Sequence, residues 1–161
     1  MSNKIQQALF KAAALTFEEL GFMFPENTID ERRQNAEEHA AVSVDFRGPL
    51  NGKLVLRLYG DLLPILAANM LGKDEPPAPK LQNDALGEIA NVICGNMLPE
   101  IAGFKAVFQL GAPKVVSRAE TSSFKTLHSP AAAVCLGIEQ GRADVFLFID
   151  EDKEKPLTGG S

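Results

Sequence analysis

The feature that most limits how this chain can fold is a strict alternation of apolar and polar residues that occurs twice. Val42, Val44 and Phe46 alternate with Ser43, Asp45 and Arg47, and after Gly48, Pro49, Asn51 and Gly52 the alternation resumes at Leu54, Leu56 and Leu58. A period of two puts the apolar set on one face of a strand, and turn residues between two such runs predict a β-hairpin. A second hairpin is predicted from Ala133 to Ile138 and Ala143 to Ile149, with its turn at Glu139 to Gly141. A lone hairpin is marginal in water, so both need an apolar cover.

Helical periodicity supplies that cover. Ile5, Leu9, Ala12, Thr16, Leu20 and Met23 predict an amphipathic helix from about Lys4 to Phe22. Pro25 and the polar run Glu26 to Glu38 predict a loop. A short helix from about Leu62 to Leu71 is expected after the first hairpin, with Asp61 placed to cap it and Gly72 to stop it. Pro76, Pro77 and Pro79 stiffen the connector Lys73 to Lys80. A longer helix follows from about Gln82 to Leu98, reaching Ala102 if Pro99 only kinks it. Ala106 to Leu110 and Lys114 to Ser117 are strand-like.

The expectation is one α/β (α+β) domain over residues 1–150, with residues 151–161 a charged, Gly-rich flexible tail. Its antiparallel-rich mixed sheet is covered on one side by the two long helices. Each half offers a helix and then a hairpin, a pseudo-two-fold repeat. Setting Leu15 against Leu86 places Phe17 opposite Glu88 and Leu20 opposite Asn91.

Charge and apolar runs narrow the function. The net charge is −5 and no basic stripe is visible, which argues against nucleic acid as a partner. No run approaches the roughly 20 apolar residues of a membrane-spanning helix, and Met1 to Gln7 is polar, unlike a secretory signal. Cys94 and Cys135 lie in strongly patterned segments and read as reduced, buried small hydrophobes. A cytoplasmic home follows by elimination. His39 and His128 are too isolated to suggest a metal site. Phe104, Phe108, Phe146 and Phe148 read as core, Tyr59 as a strand end, and Arg118 and Lys125 as surface charges.

Asp84, Glu88 and Asn91 stand at i, i+4 and i+7 of the second long helix, within about 60° of arc. Leu86, Ile89, Ala90, Ile93 and Met97 form the opposite face, suited to packing on a sheet. Gly95 lies a turn further along the polar face, where glycine costs about 1 kcal/mol relative to alanine. Close approach of a partner's backbone, or tight packing on a neighbouring strand, would justify it. On spacing alone, a carboxylate and an amide on a solvated helix face usually do nothing.

The segment Asn83-Asp84-Ala85-Leu86-Gly87-Glu88-Ile89-Ala90-Asn91-Val92-Ile93-Cys94-Gly95-Asn96 resembles the signature of the CheC/CheX/FliY phosphatases. Their pattern is Asp or Ser, three residues, Glu, two residues, Asn, and then a proline some two dozen positions on. Asp84, Glu88 and Asn91 match it, Gly95-Asn96 is a common continuation, and Pro113 is the candidate proline, one residue closer than usual. The hairpin Asp45 to Leu56 and the stretch Phe108 to Val116 are also similar, so the resemblance covers roughly Ala8 to Ile149. CheC-like members carry two such helices. Here Phe17 and Leu20 take the counterpart places, which favours the CheX type.

The resemblance implies hydrolysis of the aspartyl phosphate of a CheY-like response-regulator receiver. The receiver would supply Mg²⁺ and a lysine, and this chain would bind no cofactor or metal. Asn91 would position a water, Glu88 would reach the receiver's lysine, and Asp84 would support Glu88 or the partner contact. Relatives of this type form dimers, and pairing an open sheet edge with a second copy would protect it; a homodimer is expected. The alternatives are a non-catalytic receiver-binding adaptor or flagellar-switch-like module, and a receiver outside chemotaxis. A small-molecule enzyme finds no Gly-rich phosphate loop, Ser-His pairing or His/Cys cluster to support it.

Overall fold

The computed structural model describes residues 2–117, 120 and 129–150; the expected tail, His128, Arg118 and Lys125 lie outside the described residues. Helix α1 (Ser2–Gly21) is followed by a single helical turn, α2 (Glu31–Gln34), and by the hairpin β1 (Glu38–Arg47) and β2 (Gly52–Tyr59). Then come α3 (Leu62–Leu71), α4 (Pro79–Ala102), the short strands β3 (Gln109–Leu110) and β4 (Lys114–Val115), and the hairpin β5 (Ala132–Ile138) and β6 (Gly141–Ile149).

The sheet runs β3–β1–β2–β6–β5, with β4 also paired to β1, and all these pairings are antiparallel. Both hairpins turn their second strand inward, so that β2 and β6 meet at the centre with Leu56 opposite Val145. That is the expected pseudo-two-fold arrangement. Helix α1 packs on α4 and β5, while α4 packs on β1, so each half's helix covers the other half's outer strand. Leu9, Phe17, Leu54, Leu56, Leu58, Leu86, Ile89 and Ile93 close the core between helices and sheet.

Several local expectations need correction. The polar stretch after Pro25 is not a plain loop: Asp30 caps α2 through Arg33 N–H, and β1 already begins at Glu38. Asp61 makes no side-chain cap to α3, whereas Gly72 ends it in the left-handed region at φ 67°. Helix α4 runs through Pro99 to Ala102 and starts with Pro79, which sits in its first turn where its missing N–H has no helical partner to lose. Phe104 is 82% exposed instead of core, because the chain leaves α4 at Gly103 and carries it away from the sheet.

The two cysteines also part. Cys94 is buried, but Cys135 is exposed on the outer strand β5, where its thiol donates to Asp144 Oδ1 at 2.8 Å. Burial pushes the Cys94 thiol from 9.0 up to about 12. A raised thiol pKa favours the folded state while the group is protonated, so this contribution is whole below about pH 9 and is lost as pH rises towards about 12. Urea midpoints followed from about pH 8 to pH 11 should therefore fall more steeply in the wild type than in Cys94→Ala. Parallel slopes would contradict this reading of Cys94.

The β5 edge is already occupied. The Gln6 side-chain amide donates to Ala133 O and accepts from Ala133 N at 3.1 Å, in the manner of a strand. Glu26 exchanges backbone bonds with Gly137 at 2.8 and 2.7 Å. At these positions, protecting the edge requires no second copy.

Candidate active site

Helix α4 fixes the candidate groups because its apolar stripe leaves it no choice of rotation. Leu86, Ile89, Ala90 and Ile93 are fully buried, so Asp84 and Glu88 must face outward, and both are exposed. Asn91 stands on the shoulder between the two faces and is half-buried. Its Oδ1 is the one buried side-chain oxygen or nitrogen without a hydrogen-bond partner among the described residues. An orphaned buried carbonyl costs about 1–3 kcal/mol, an unusual expense for a residue that is also a poor helix former.

The other candidates are placed as follows. Asp84 pairs with Lys80 at 3.8 Å, an exposed i,i+4 contact. Asn96 is exposed and donates to Thr16 Oγ1 at 3.5 Å; Thr16 in turn donates to Ala12 O at 2.7 Å, so Asn96 ties α4 to α1. Gly95 is exposed, and a Cβ there would meet nothing within 4 Å among the described residues, so tight packing on a described strand does not explain it.

Pro113, from the connection between β3 and β4, reaches the helix at Gly87, where a Cβ would stand 2.9 Å from Pro113 Cβ. Gly87 is one turn before Asn91, and its missing side chain is what lets the proline segment lie down beside the site. Sequence reasoning passed over Gly87. Its signal was available as a second glycine inside a helix, between Leu86 and Glu88, at the same propensity cost as Gly95.

The repeat register also changes. Leu15 is 39% exposed while Leu86 is buried, so the two are not equivalent. Burial matches when Leu9 is set against Leu86, which pairs Ala13 with Ala90 and Phe17 with Cys94. Lys11 and Ala14 then stand where α4 has Glu88 and Asn91. In either register α1 lacks a Glu/Asn pair.

Among the described residues no group of three His, Cys, Asp or Glu could hold a metal ion, and no helix is long and apolar enough to cross a membrane. The fold and the site define an α+β domain that presents a carboxylate and an amide on an open helix face. The family model for the chemotaxis phosphatase CheX matches residues 40–136, and the chain belongs to that family. Comparison with curated proteins gave no match.

Solved structures agree on the fold. CheX from Vibrio vulnificus is 14% identical with a TM-score of 0.65, covering 93% of this chain and 99% of that one. CheX from Desulfovibrio desulfuricans is 17% identical with a TM-score of 0.64, covering 91% and 99%. A CheX–CheY–BeF3–Mg²⁺ complex from Borrelia burgdorferi matches at 14% identity and a TM-score of 0.61, covering 90% and 97%.

Proposed function

We propose that this protein hydrolyses the aspartyl phosphate of a CheY-like response-regulator receiver in chemotaxis or two-component signalling. The observation that carries this reading is the pairing, on one face of α4, of exposed Glu88 with Asn91 and its orphaned Oδ1. An amide both accepts and donates, so it can hold a water in line with phosphorus without being asked to remove a proton. The unpaired Oδ1 is the acceptor such a water would use. Electrophilic assistance comes from the receiver, whose Mg²⁺ and lysine neutralise the transferring group; this chain contributes no metal. That the Borrelia burgdorferi relative was solved with CheY is consistent with the same class of partner.

Glu88, exposed and three residues before Asn91, anchors the helix by pairing with the receiver's lysine. Asp84 lies one turn earlier, where it extends the acidic face. Asn96 and Pro113 hold the helix in place through Thr16 and Gly87. The protein works in the cytoplasm, where receivers are found, and as a homodimer. Sedimentation of the purified chain tests the dimer.

Phosphorylated, Mg²⁺-loaded receivers should lose phosphate faster in the presence of this protein; tight binding without acceleration would establish an adaptor instead. Glu88→Ala should weaken receiver binding by roughly tenfold or more, the worth of a charge-assisted contact in a water-excluded interface, and slow turnover as well. A titration showing unchanged affinity would remove the anchoring role from Glu88.

A further inference from the structure

Between α1 and α4 lies a cleft of about 340 Å³ whose lining includes Leu15, Gly95, Pro99 and Phe104, with Lys11 and Glu100 as charged groups. We infer that this cleft receives an apolar side chain of the receiver docked at Asn91, and that Gly95 is glycine to keep it open. The inference rests on the proposed function, since it takes the receiver as the occupant.

Position makes the occupant hard to avoid. Gly95 is one turn, about 6 Å, beyond Asn91, and its direction falls inside the arc set by Asp84, Glu88 and Asn91 at about 100° per residue. A specific protein interface covers about 800 Å² of each partner, far more than one helical turn. A receiver that brings its phosphoaspartate to Asn91 must therefore also cover Gly95.

The residues are suited to being covered. Phe104 is 82% exposed, and Leu15 keeps 39% of its surface open to solvent, so an aromatic side chain and part of an aliphatic one are free to be covered. Aromatic side chains are enriched in the anchoring pockets of interfaces. Pro99 has no N–H to give the carbonyl of Gly95, which is thereby released from the helical ladder beside the cleft. Gly95 has no positive φ to require a glycine, and a Cβ on it would touch nothing within 4 Å among the described residues. A glycine that weakens its helix and relieves no contact among the described residues is explained by a contact with a partner.

The test compares wild type, Gly95→Ala and Gly95→Leu on a phosphorylated receiver that the wild type dephosphorylates. Gly95→Ala should keep KM within about twofold, because a methyl leaves most of the cleft, and its denaturation midpoint should hold or rise. Gly95→Leu should fill the cleft and raise KM about tenfold or more, with kcat at saturation nearly unchanged, the signature of lost uniform binding. Affinity for the beryllofluoride-loaded receiver should fall by the same factor.

Unchanged KM and affinity in Gly95→Leu would overturn the inference while leaving the proposed activity standing. A change confined to self-association would also overturn it, giving the cleft to a second copy. A lowered midpoint in Gly95→Ala would overturn the role given to glycine, assigning it to easing the strain of Pro99. Failure of the wild type to act on any receiver would count against the proposed function and is read separately.

Discussion

Replacing Asn91 with alanine should abolish receiver dephosphorylation and, in the same variant, raise the stability of the folded protein. A group used only to hold a water in line contributes through positioning, and its loss should lower the turnover rate by about a hundredfold or more. Receiver affinity should change little, because Glu88 and the rest of the α4 face remain. The stability gain has a separate origin. Alanine removes a buried oxygen that lacks a partner, relieving about 1–3 kcal/mol of desolvation, and is the better helix former by up to about 0.7 kcal/mol. Lost packing of the side chain offsets part of this, so a net gain of about 1 kcal/mol is expected. Urea unfolding and a phosphate-loss assay on one preparation check both halves. An active variant would sink the catalytic assignment, and a clearly destabilised one would show that Asn91 is there for the fold.

The largest effect on stability should come from Phe17→Ala. Phe17 is fully buried between α1 and the sheet, and truncating a core phenylalanine typically costs about 3–5 kcal/mol. That is at least about a fifth, and up to nearly all, of the roughly 5–15 kcal/mol that holds a domain of this kind together. Phe104→Ala, at 82% exposure, should change unfolding by no more than about 0.5 kcal/mol. The pair tests the rotation of α1 as well as its packing. If Phe17→Ala cost less than about 1 kcal/mol, α1 would be turned differently and the comparison of Lys11 with Glu88 would fail.

What could be read from the sequence follows from what was periodic. Alternation gave both hairpins, with β1 starting four residues earlier than its alternation shows, since Leu54, Leu56, Leu58, Val145 and Leu147 must share the face under the helices. The 3.6-residue period gave α1 and fixed which side of α4 carries Glu88 and Asn91, while α3 was marked by its boundary residues, of which Gly72 does end the helix. The CheX family was legible in the same helix, through Asp84, Glu88 and Asn91.

What failed was decided by contacts between distant segments. Phe104 and Phe146 look alike in composition, but one follows the end of α4 and the other lies in a central strand. Cys135, between Val134 and Leu136, has the more apolar neighbours in sequence, yet it is exposed on the outermost strand while Cys94 is buried. Gly87 has meaning only once Pro113 is beside it, and those residues are far apart along the chain. The loop between Pro25 and Glu38 hid a helical turn too short to show a period.

The most direct test of the account is a single-turnover measurement. A Mg²⁺-loaded, phosphorylated receiver would be mixed with excess protein, and loss of its aspartyl phosphate followed against the receiver's own rate of decay. Clear acceleration by the wild type is expected, and decay at the receiver's intrinsic rate with Asn91→Ala, both proteins binding with similar affinity. Equal decay with and without the wild type, under conditions where the receiver is shown to be bound, would contradict it and leave a receiver-binding protein without phosphatase activity.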